Sequence, residues 1–316
     1  MSQKKLISLG IPCFNEEKNV IPAYQALKKV TDKIKKYHFE FIFVDNGSSD
    51  ATREKIKKIA SKDKQVVGIF LSRNFGPESS NTACLNYATG DAFIGIPCDL
   101  QDPPELIPKF IKKWEEGYDI IVGIYRKNEG DYLIRFFRKT FYQIFKLISN
   151  INVPVNATGF GLIDKKVLKA LNSLPEKYRF FRGLRTWVGF KSTQIEYDRQ
   201  QRKKGKSSYN IFDYFKHAEI GLFGFSYLIL DLMVYLGFLL VLFAFIFIFG
   251  YLFTVLVFGN PIKGAVTILV SIIFFGGVQL LAISIIGKYI QVIVEETKAR
   301  PIYIVDKTIN LKTSTS

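Results

Sequence analysis

The chain has few cysteines, and their placement excludes disulfide scaffolds and cysteine-ligated metal sites. There are three in 316 residues: Cys13, Cys84 and Cys98. Their number is odd and they do not have the spacing of metal ligands. We therefore expect reduced thiols in a cytosolic compartment.

Charge is missing from two long stretches near the carboxyl end. Leu232 to Gly259 has no charged side chain over 28 residues, and Ala265 to Gly287 has none over 23. Each stretch can cross a hydrocarbon core of ~30 Å at ~1.5 Å rise per residue. We predict two transmembrane helices, at about 228–258 and 264–287. A buried hairpin in a soluble core is the alternative, but soluble helices rarely run so long without a polar face.

The flanks of this hairpin are basic, which places both of its ends in the cytoplasm by the positive-inside rule. The amino terminus, MSQKKLISLGIPCF, has too short an apolar run for a signal peptide. We expect a multi-pass protein of the inner (cytoplasmic) membrane with both termini cytoplasmic. The predicted parts are a soluble domain (1–210), an interfacial amphipathic segment (211–225), the two spans (226–290) and a cytoplasmic amphipathic segment and tail (288–316).

The chain has fewer acidic than basic residues: 28 Asp and Glu against 44 Lys and Arg, which gives a net charge of +16. Such an excess suggests an anionic partner. A bilayer anchor makes lipid headgroups and phosphorylated substrates better candidates than nucleic acid, so we expect no nucleic-acid partner. Glycines in the spans are compatible with packing of the hairpin against copies of itself, a homo-oligomer: Gly237, Gly250, Gly276 and Gly277.

The first 125 residues alternate short apolar runs with helical patterns. The predicted strands are Leu6 to Ile11, Phe39 to Val44, Val66 to Leu71, Ala92 to Ile96 and Asp119 to Gly123. The predicted helices are Glu16 to Lys36, Ser49 to Ala60, Glu78 to Ala88 and Pro104 to Glu116. This pattern indicates an α/β, Rossmann-like, doubly wound and mostly parallel sheet, which binds nucleotides outside the carboxyl ends of its strands. No GxGxxG motif follows the first strand, which excludes a dinucleotide-binding dehydrogenase.

Polar residues stand instead at other strand ends. Asp45 and Asn46 follow the second strand, and Asp99 and Gln101 follow the fourth. For Asp45 and Asp99 we favour ligand binding. Helix capping is the alternative for polar residues at such positions, and we expect it for Ser49 and for Asp102, which precedes two prolines. Asn15 with Glu16 is expected to begin a helix.

Several motifs together resemble one family. IPCFNEEKN, FVDNGSSDAT and CDLQDPPEL occur in this order on strand ends, and RGLRTWVGF, RQQRKKGKSSYN, the two spans and GKYIQVIVEETKARPIYIV follow. The ordered set resembles the membrane-anchored branch of glycosyltransferase family 2: the polyprenyl-phosphate glycosyltransferases, such as bactoprenol glucosyltransferases and dolichyl-phosphate mannose synthase. The likeness covers nearly the whole chain and implies a GT-A nucleotide-sugar domain.

The resemblance also implies roles for particular residues. The nucleotide site is expected to involve Pro12, Phe14, Asn15, Glu16 and Asp45 or Asn46, of which one of the last two reads the base. Asp99 and Gln101 are expected to be catalytic, holding Mg²⁺ or Mn²⁺ on the donor diphosphate. Arg126, Arg202 and Lys206 are expected to bind phosphate. For the basic run 199–206, attraction to lipid headgroups is an alternative, and both can hold.

Three features depart from the family pattern. Pro97 stands where relatives often have a metal-binding acid, Gly159 and Gly161 stand where many have Asp and Arg, and Ser208 replaces the usual lysine. Magnesium usually takes only one or two protein carboxylates beside substrate phosphates, so a reduced site remains workable. A lipid monophosphate is largely dianionic at neutral pH, since its second pKa is about 6, and needs little general-base help.

The resemblance implies that a sugar is transferred, with inversion, from a nucleotide sugar to a polyprenyl phosphate at the cytoplasmic membrane face. The expected donor is UDP-glucose, and the expected acceptor is a lipid such as undecaprenyl phosphate. The product would serve cell-envelope glycosylation. A catalytically silent, nucleotide-binding membrane scaffold is the alternative that Pro97 and Gly159 motivate. A processive polysaccharide synthase is weaker, because two spans with a short loop offer no obvious channel.

Overall fold

The computed structural model describes residues 4–126, 154, 157–177, 179–200, 228–259 and 264–311. Its strands are β1 (Leu6–Cys13), β2 (His38–Asp45), β3 (Val66–Leu71), β4 (Ala92–Gly95), β5 (Ile120–Tyr125), β6 (Ala157–Asp164), β7 (Ser192–Tyr197) and β8 (Val305–Ile309). Its helices are α1 (Val20–Thr31), α2 (Thr52–Lys62), α3 (Pro77–Asn86), α4 (Ile107–Glu115), α5 (Lys165–Ser173), α6 (Phe181–Trp187), α7 (Leu228–Phe258) and α8 (Ala265–Thr297). A 3₁₀ turn, Pro104–Leu106, precedes α4.

These strands form a single mixed sheet in the order β7-β5-β6-β4-β1-β2-β3-β8. Strand β1 pairs in parallel with β2 and β4, β2 with β3, and β5 with β7. Strand β6 runs antiparallel between β4 and β5, and β8 runs antiparallel beside β3. The five predicted strands and the mostly parallel sheet are confirmed. The segment 288–316 was expected to be an amphipathic segment and tail, whereas residues 305–309 form an edge strand.

Helices cover both faces of the sheet, which explains why its strands are apolar without strict alternation. Phe41 and Phe43 of β2 face one side, and Ile42 and Val44 face the other. The first side packs against α1, α2 and α4 through residues such as Leu27, Ile56 and Phe110. The second packs against α3, α5 and α6 through residues such as Leu85, Leu168 and Leu184.

Two expected helix starts are wrong by several residues. Helix α1 begins at Val20, not at Asn15 and Glu16. Helix α2 begins at Thr52, and Ser49 does not cap it. The Thr52 amide donates instead to the Asp50 carboxylate (N to Oδ1, 3.0 Å), while the Ser49 amide is used elsewhere. In both cases the polar residues before the helix bind the neighbouring loop.

Helices α7 and α8 are long and apolar enough to cross a membrane, by length and composition. The qualifying segments are Leu232–Phe258 and Ser271–Thr297, and neither is buried within the protein. Helix α8 continues without a break through residues 288–297, which the sequence placed in a separate segment. The interfacial segment expected at 211–225 lies outside the described residues.

The end of α8 and the chain after it are bonded back to the sheet domain. Both Glu296 carboxylate oxygens accept from the Lys177 amide at 2.9 Å, and the Tyr303 hydroxyl accepts from Asn86 at 2.9 Å. Asn310, which follows β8, has φ of +56°. Its side-chain nitrogen Nδ2 donates to the carbonyls of Ala60 (2.6 Å) and Val66 (2.9 Å). Asparagine suits this position because it tolerates the left-handed conformation.

Replacing Asn310 with Ala should lower the free energy of unfolding of the full chain in detergent by about 1–3 kcal/mol, because two carbonyls lose their donor. Lys307→Ala, at an exposed position of β8, is the matched control and should stay within about 0.5 kcal/mol of wild type. Denaturant unfolding measures both variants. Equal stability of the two would mean that Asn310 does not fasten the carboxyl-terminal strand.

Candidate active site

One edge of the sheet gathers the ends of six strands and the starts of the other two. Strands β1 to β5 and β7 all point to this edge, and antiparallel β6 and β8 begin there. The structure therefore brings most of the predicted site residues to one edge: Pro12, Phe14, Asn15, Glu16, Asp45, Asn46, Asp99, Gln101 and Arg126. Arg202 and Lys206 lie outside the described residues.

Hydrogen bonds join the loops that follow β1 and β2. The Asn15 amide donates to the Ser48 hydroxyl (2.9 Å), and the Asn15 side-chain oxygen accepts from the Ser49 amide (2.9 Å). The Glu16 amide donates to the Thr52 hydroxyl (2.8 Å). Asn15 itself adopts φ of +53°. These polar residues build a fixed two-loop platform at the edge.

Asp45 is fully buried and bonded on both oxygens. Its Oδ1 accepts from the Ser48 amide (3.1 Å), and its Oδ2 accepts from Arg53 Nε (3.1 Å). Arg53 also donates to Asp306 of β8 (Nη1 to Oδ2, 2.8 Å) and to the Leu71 carbonyl (2.9 Å). One guanidinium thus joins β2, β3 and β8, so the strand that follows α8 supports the end of β2.

Asn46 holds the loop after β3. Its amide nitrogen donates to Asn74 Oδ1 and to the Gly76 carbonyl, both at 3.0 Å, and its oxygen accepts from the Phe75 amide. Asn46 and Asp45 both have protein partners, so base recognition by either stays a prediction.

Asp99 and Gln101 form a tight turn after β4. The half-buried Asp99 accepts from the Gln101 amide (Oδ1 to N, 3.2 Å). Between them Leu100 adopts φ of +58°, a strained conformation for a branched side chain that occurs preferentially at functional sites. The turn places two oxygen-bearing side chains next to each other at the edge.

The segment after β7 is bonded to this turn. Arg199 Nη2 donates to Gln101 Oε1 (2.6 Å), and the Gln200 amide donates to the Gln101 carbonyl (2.9 Å). The guanidinium lies over the Tyr125 ring, 5.2 Å from its centroid. No individual role was predicted for Arg199 from the sequence. Its only signal was its place at the start of a basic run.

The residues at the turn fit a divalent cation only together with substrate phosphate. Within the described residues, no group of three or more His, Cys, Asp or Glu side chains could hold a metal ion. Asp99 and Gln101 offer one carboxylate and one amide oxygen, and the latter also accepts from Arg199. Magnesium keeps several waters and takes substrate phosphates readily, so two protein ligands suffice for such a shared site.

Asp102 is a buried network residue and not a helix cap, which corrects the expectation from its place before two prolines. It is 2% exposed, and its Oδ1 accepts from the hydroxyls of Tyr197 and Tyr125 (3.2 Å for Tyr125). The 3₁₀ turn that follows it has Pro103 at its N-cap and no side-chain cap. Burial raises the pKa of Asp102 above its ordinary value. The network fastens β5 and β7 to the turn.

Arg126 lies at the end of β5 and is more than half exposed. In the structure it faces carboxylates: Glu196 (3.8 Å) and Asp198 (3.6 Å). Such exposed pairs are weak and can be exchanged for a phosphate. Binding of phosphate by Arg126 stays a prediction.

Gly159 and Gly161 differ in the space around them. A Cβ at Gly159 would meet no atom within 4 Å, so the start of β6 is open. A Cβ at Gly161 would lie 2.2 Å from the Ile121 carbonyl oxygen, so the present strand register admits no side chain there. A charged residue at 161 would require β5 to move.

Arg53→Met should destabilise the protein by about 3–5 kcal/mol, because it leaves the buried Asp45 carboxylate without its cation. Asp306→Asn removes the exposed partner of the same arginine and should cost about 1 kcal/mol or less. Thermal unfolding of the full chain compares the two. Similar losses would show that Arg53 serves β8 rather than Asp45.

A double-mutant cycle tests the network at Asp102. Asp102→Ala leaves two tyrosine hydroxyls without their acceptor, so its loss should be partly relieved in a Tyr197→Phe background, with a coupling of about 1–3 kcal/mol. Asp102→Asn retains an acceptor oxygen and should be milder than Asp102→Ala. Additive losses would restore the interpretation of Asp102 as a cap.

Comparison with known proteins agrees with this architecture. Residues 8–171 match the family described as "Glycosyl transferase family 2". The bactoprenol glucosyl transferase of Shigella phage SfX is 37% identical over 302 residues, which are 95% of this chain and 98% of that protein. An uncharacterized glycosyltransferase from Synechocystis is 37% identical over 300 residues, 95% of this chain and 94% of that protein.

A prophage bactoprenol glucosyl transferase homolog from Escherichia coli K12 is 36% identical over 304 residues, 95% of this chain and 98% of that protein. Among solved structures, a glucosyl-3-phosphoglycerate synthase from Mycobacterium tuberculosis has a TM-score of 0.48 and 17% identity, over 68% of this chain and 76% of that one. The family match covers half of the chain, and these sequence relatives cover nearly all of it. The chain therefore belongs to glycosyl transferase family 2 and is a glycosyltransferase.

Proposed function

We propose that the protein transfers a sugar, with inversion, from a nucleotide sugar to a polyprenyl phosphate at a membrane surface. The observation that carries this proposal is the Asp99–Gln101 turn, bonded to Arg199 at the edge where the predicted nucleotide-binding loops converge. The relatives named for transfer of glucose to bactoprenol, over nearly the whole chain, support the acceptor class.

The donor is a nucleoside diphosphate sugar, with UDP-glucose as the first candidate. The platform built by Asn15, Ser48 and Ser49, with Asp45 and Asn46 behind it, receives the nucleoside. Glucose is supported only by the names of the relatives.

The donor diphosphate lies by the turn after β4. Asp99 and Gln101 would hold Mg²⁺ or Mn²⁺ there, and the bound cation supplies neutralisation of the negative charge that develops on the leaving diphosphate. Arg199 lies at hydrogen-bond distance from Gln101 and adds a guanidinium beside the same charge. Arg126, and Arg202 and Lys206 outside the described residues, are the further phosphate-binding candidates.

The chemistry needs positioning more than proton transfer. An oxygen of the acceptor phosphate attacks the anomeric carbon, the bond from that carbon to the donor diphosphate breaks, and the nucleoside diphosphate leaves. The acceptor is already a dianion at neutral pH, since its second pKa is about 6. The open space at Gly159, where a carboxylate would stand in many relatives, is compatible with a reaction that requires no general base.

The long apolar helices suit an acceptor whose tail stays in the bilayer. Helices α7 and α8 would form the anchor, with the sheet domain and both termini on the cytoplasmic side of the inner membrane. The bond between Glu296 and the Lys177 amide holds the end of α8 against the sheet domain. This contact would keep the active-site edge near the headgroup level, where a lipid phosphate lies.

A transfer assay tests the proposal against a silent scaffold. Purified full-length protein is incubated with Mg²⁺, a polyprenyl phosphate and labelled sugar nucleotides, and the lipid is then extracted. We expect label in the lipid with UDP-glucose, and free UDP in equal amount. Binding of a nucleotide sugar without lipid labelling, across a panel of UDP- and GDP-sugars, would favour the scaffold.

Asp99→Asn should lower the transfer rate by about 10²-fold or more, because electrostatic stabilisation of the leaving group is lost. The fold should be retained, since Asp99 lies at the edge outside the core. Glu105→Gln, an exposed carboxyl on the 3₁₀ turn nearby, is the control and should keep wild-type activity. Wild-type activity of Asp99→Asn across a magnesium titration would remove Asp99 from the mechanism.

A further inference from the structure

Arg185 of α6 is a buried cation. The residue is 3% exposed. Its Nη2 donates to the Thr158 carbonyl at 2.9 Å, and its guanidinium carbon lies 5.3 Å from the centroid of the Phe181 ring. In the described part of the chain, no carboxylate forms an ion pair with it. Burial, reinforced by the positive charge of Arg182, lowers the pKa of Arg185 to about 9, so it remains protonated at neutral pH.

A second buried arginine in the same region shows the usual arrangement. Arg179 also donates to a carbonyl, that of Leu171, and burial lowers its pKa below the ordinary value, but the nearby carboxylates of Glu176, Glu78 and Glu296 oppose this shift and favour its charged form. A buried charge without such compensation costs several kcal/mol. No carboxylate of the described residues forms an ion pair with Arg185, and such a buried charge is expected where a ligand supplies the opposite charge.

The position of Arg185 relates it to the active-site edge. Thr158 is the second residue of β6, and the next residue, Gly159, is exposed with open space where a Cβ would stand. The Gly159 carbonyl oxygen lies 3.2 Å from the point where a Cβ would stand on Gly95. Gly95 is the last residue of β4, before the turn that contains Asp99. Ala157, one residue before Thr158, belongs to the same buried cluster as Leu184 of α6. The cation therefore donates to the carbonyl of the residue that directly precedes the open position at Gly159.

We propose that Arg185 binds a phosphate group of a substrate, in a subsite that it forms with the start of β6 at Thr158 and Gly159. The inference rests on the proposed function for the identity of the phosphate, which belongs either to the lipid acceptor or to the donor diphosphate. Anionic phosphate oxygens are the ligand chemistry that a guanidinium matches best. Binding would supply a negative charge that the described residues do not pair with Arg185.

The test compares Arg185→Met and Arg185→Lys with wild type in detergent-solubilised full-length protein. Two probes separate the sources: UDP with Mg²⁺ for the donor, and a short-chain isoprenyl monophosphate for the acceptor, with the unphosphorylated isoprenol as blank. Arg185→Met should weaken binding of one probe by about 10- to 100-fold, the range expected for a lost charged hydrogen bond. Arg185→Lys should recover part of that affinity. The affected probe identifies the phosphate.

Stability distinguishes a binding role from a structural one. Without ligand, Arg185→Met should have a melting temperature equal to or above that of wild type, because an uncompensated buried charge is removed. Arg179→Met is the matched control and should melt lower, because it leaves nearby acids without their cation. Misfolding or a clear loss of stability in Arg185→Met, or unchanged binding of both probes, would overturn the inference. If phosphate binding depends on Arg185 but the protein transfers no sugar, only the proposed function is contradicted.

Discussion

Parallel pairing of β1 with β2 and β4 is the constraint on which the rest of the structure depends. It brings the loops after three strands to one edge, and with them Asn15, Asp45 and Asp99. The apolar runs that form these strands are buried on both faces, so a one-residue slip in register would exchange the side chains of the two faces and disrupt the packing on both. The chemistry of the edge is therefore fixed by the packing of residues such as Phe41 and Ile42, which never touch a substrate.

Much of the polar chemistry at this edge serves to hold loops in place. Asp45 joins Arg53 and, through it, the strand that follows α8. Asp102 joins two tyrosines from β5 and β7. A buried polar group is stable only when its hydrogen bonds are satisfied, so each of these networks has one arrangement of lowest free energy. Preorganisation of this kind suits a reaction in which positioning and charge neutralisation contribute most of the rate.

The sequence predicted what depends on local pattern. Five strands follow from their apolar runs, and two long apolar helices follow from the absence of charge. Strand β8 was missed because its partner, β3, lies more than two hundred residues earlier in the chain, and no local signal records such a pairing. Asp102 was misinterpreted for a similar reason. An acid before two prolines is typical of a helix start, but its actual partner, Tyr197, is 95 residues away.

Cooperative binding of metal and nucleotide is the most direct measure of the proposed site. Mn²⁺ can be titrated into full-length protein with and without UDP while electron paramagnetic resonance follows the free ion. Since the diphosphate supplies oxygens beyond those of Asp99 and Gln101, UDP should tighten Mn²⁺ binding by about tenfold or more, and Asp99→Asn should abolish that gain. Equal Mn²⁺ affinity with and without UDP, or a gain that survives in Asp99→Asn, would contradict a shared metal site at the turn after β4.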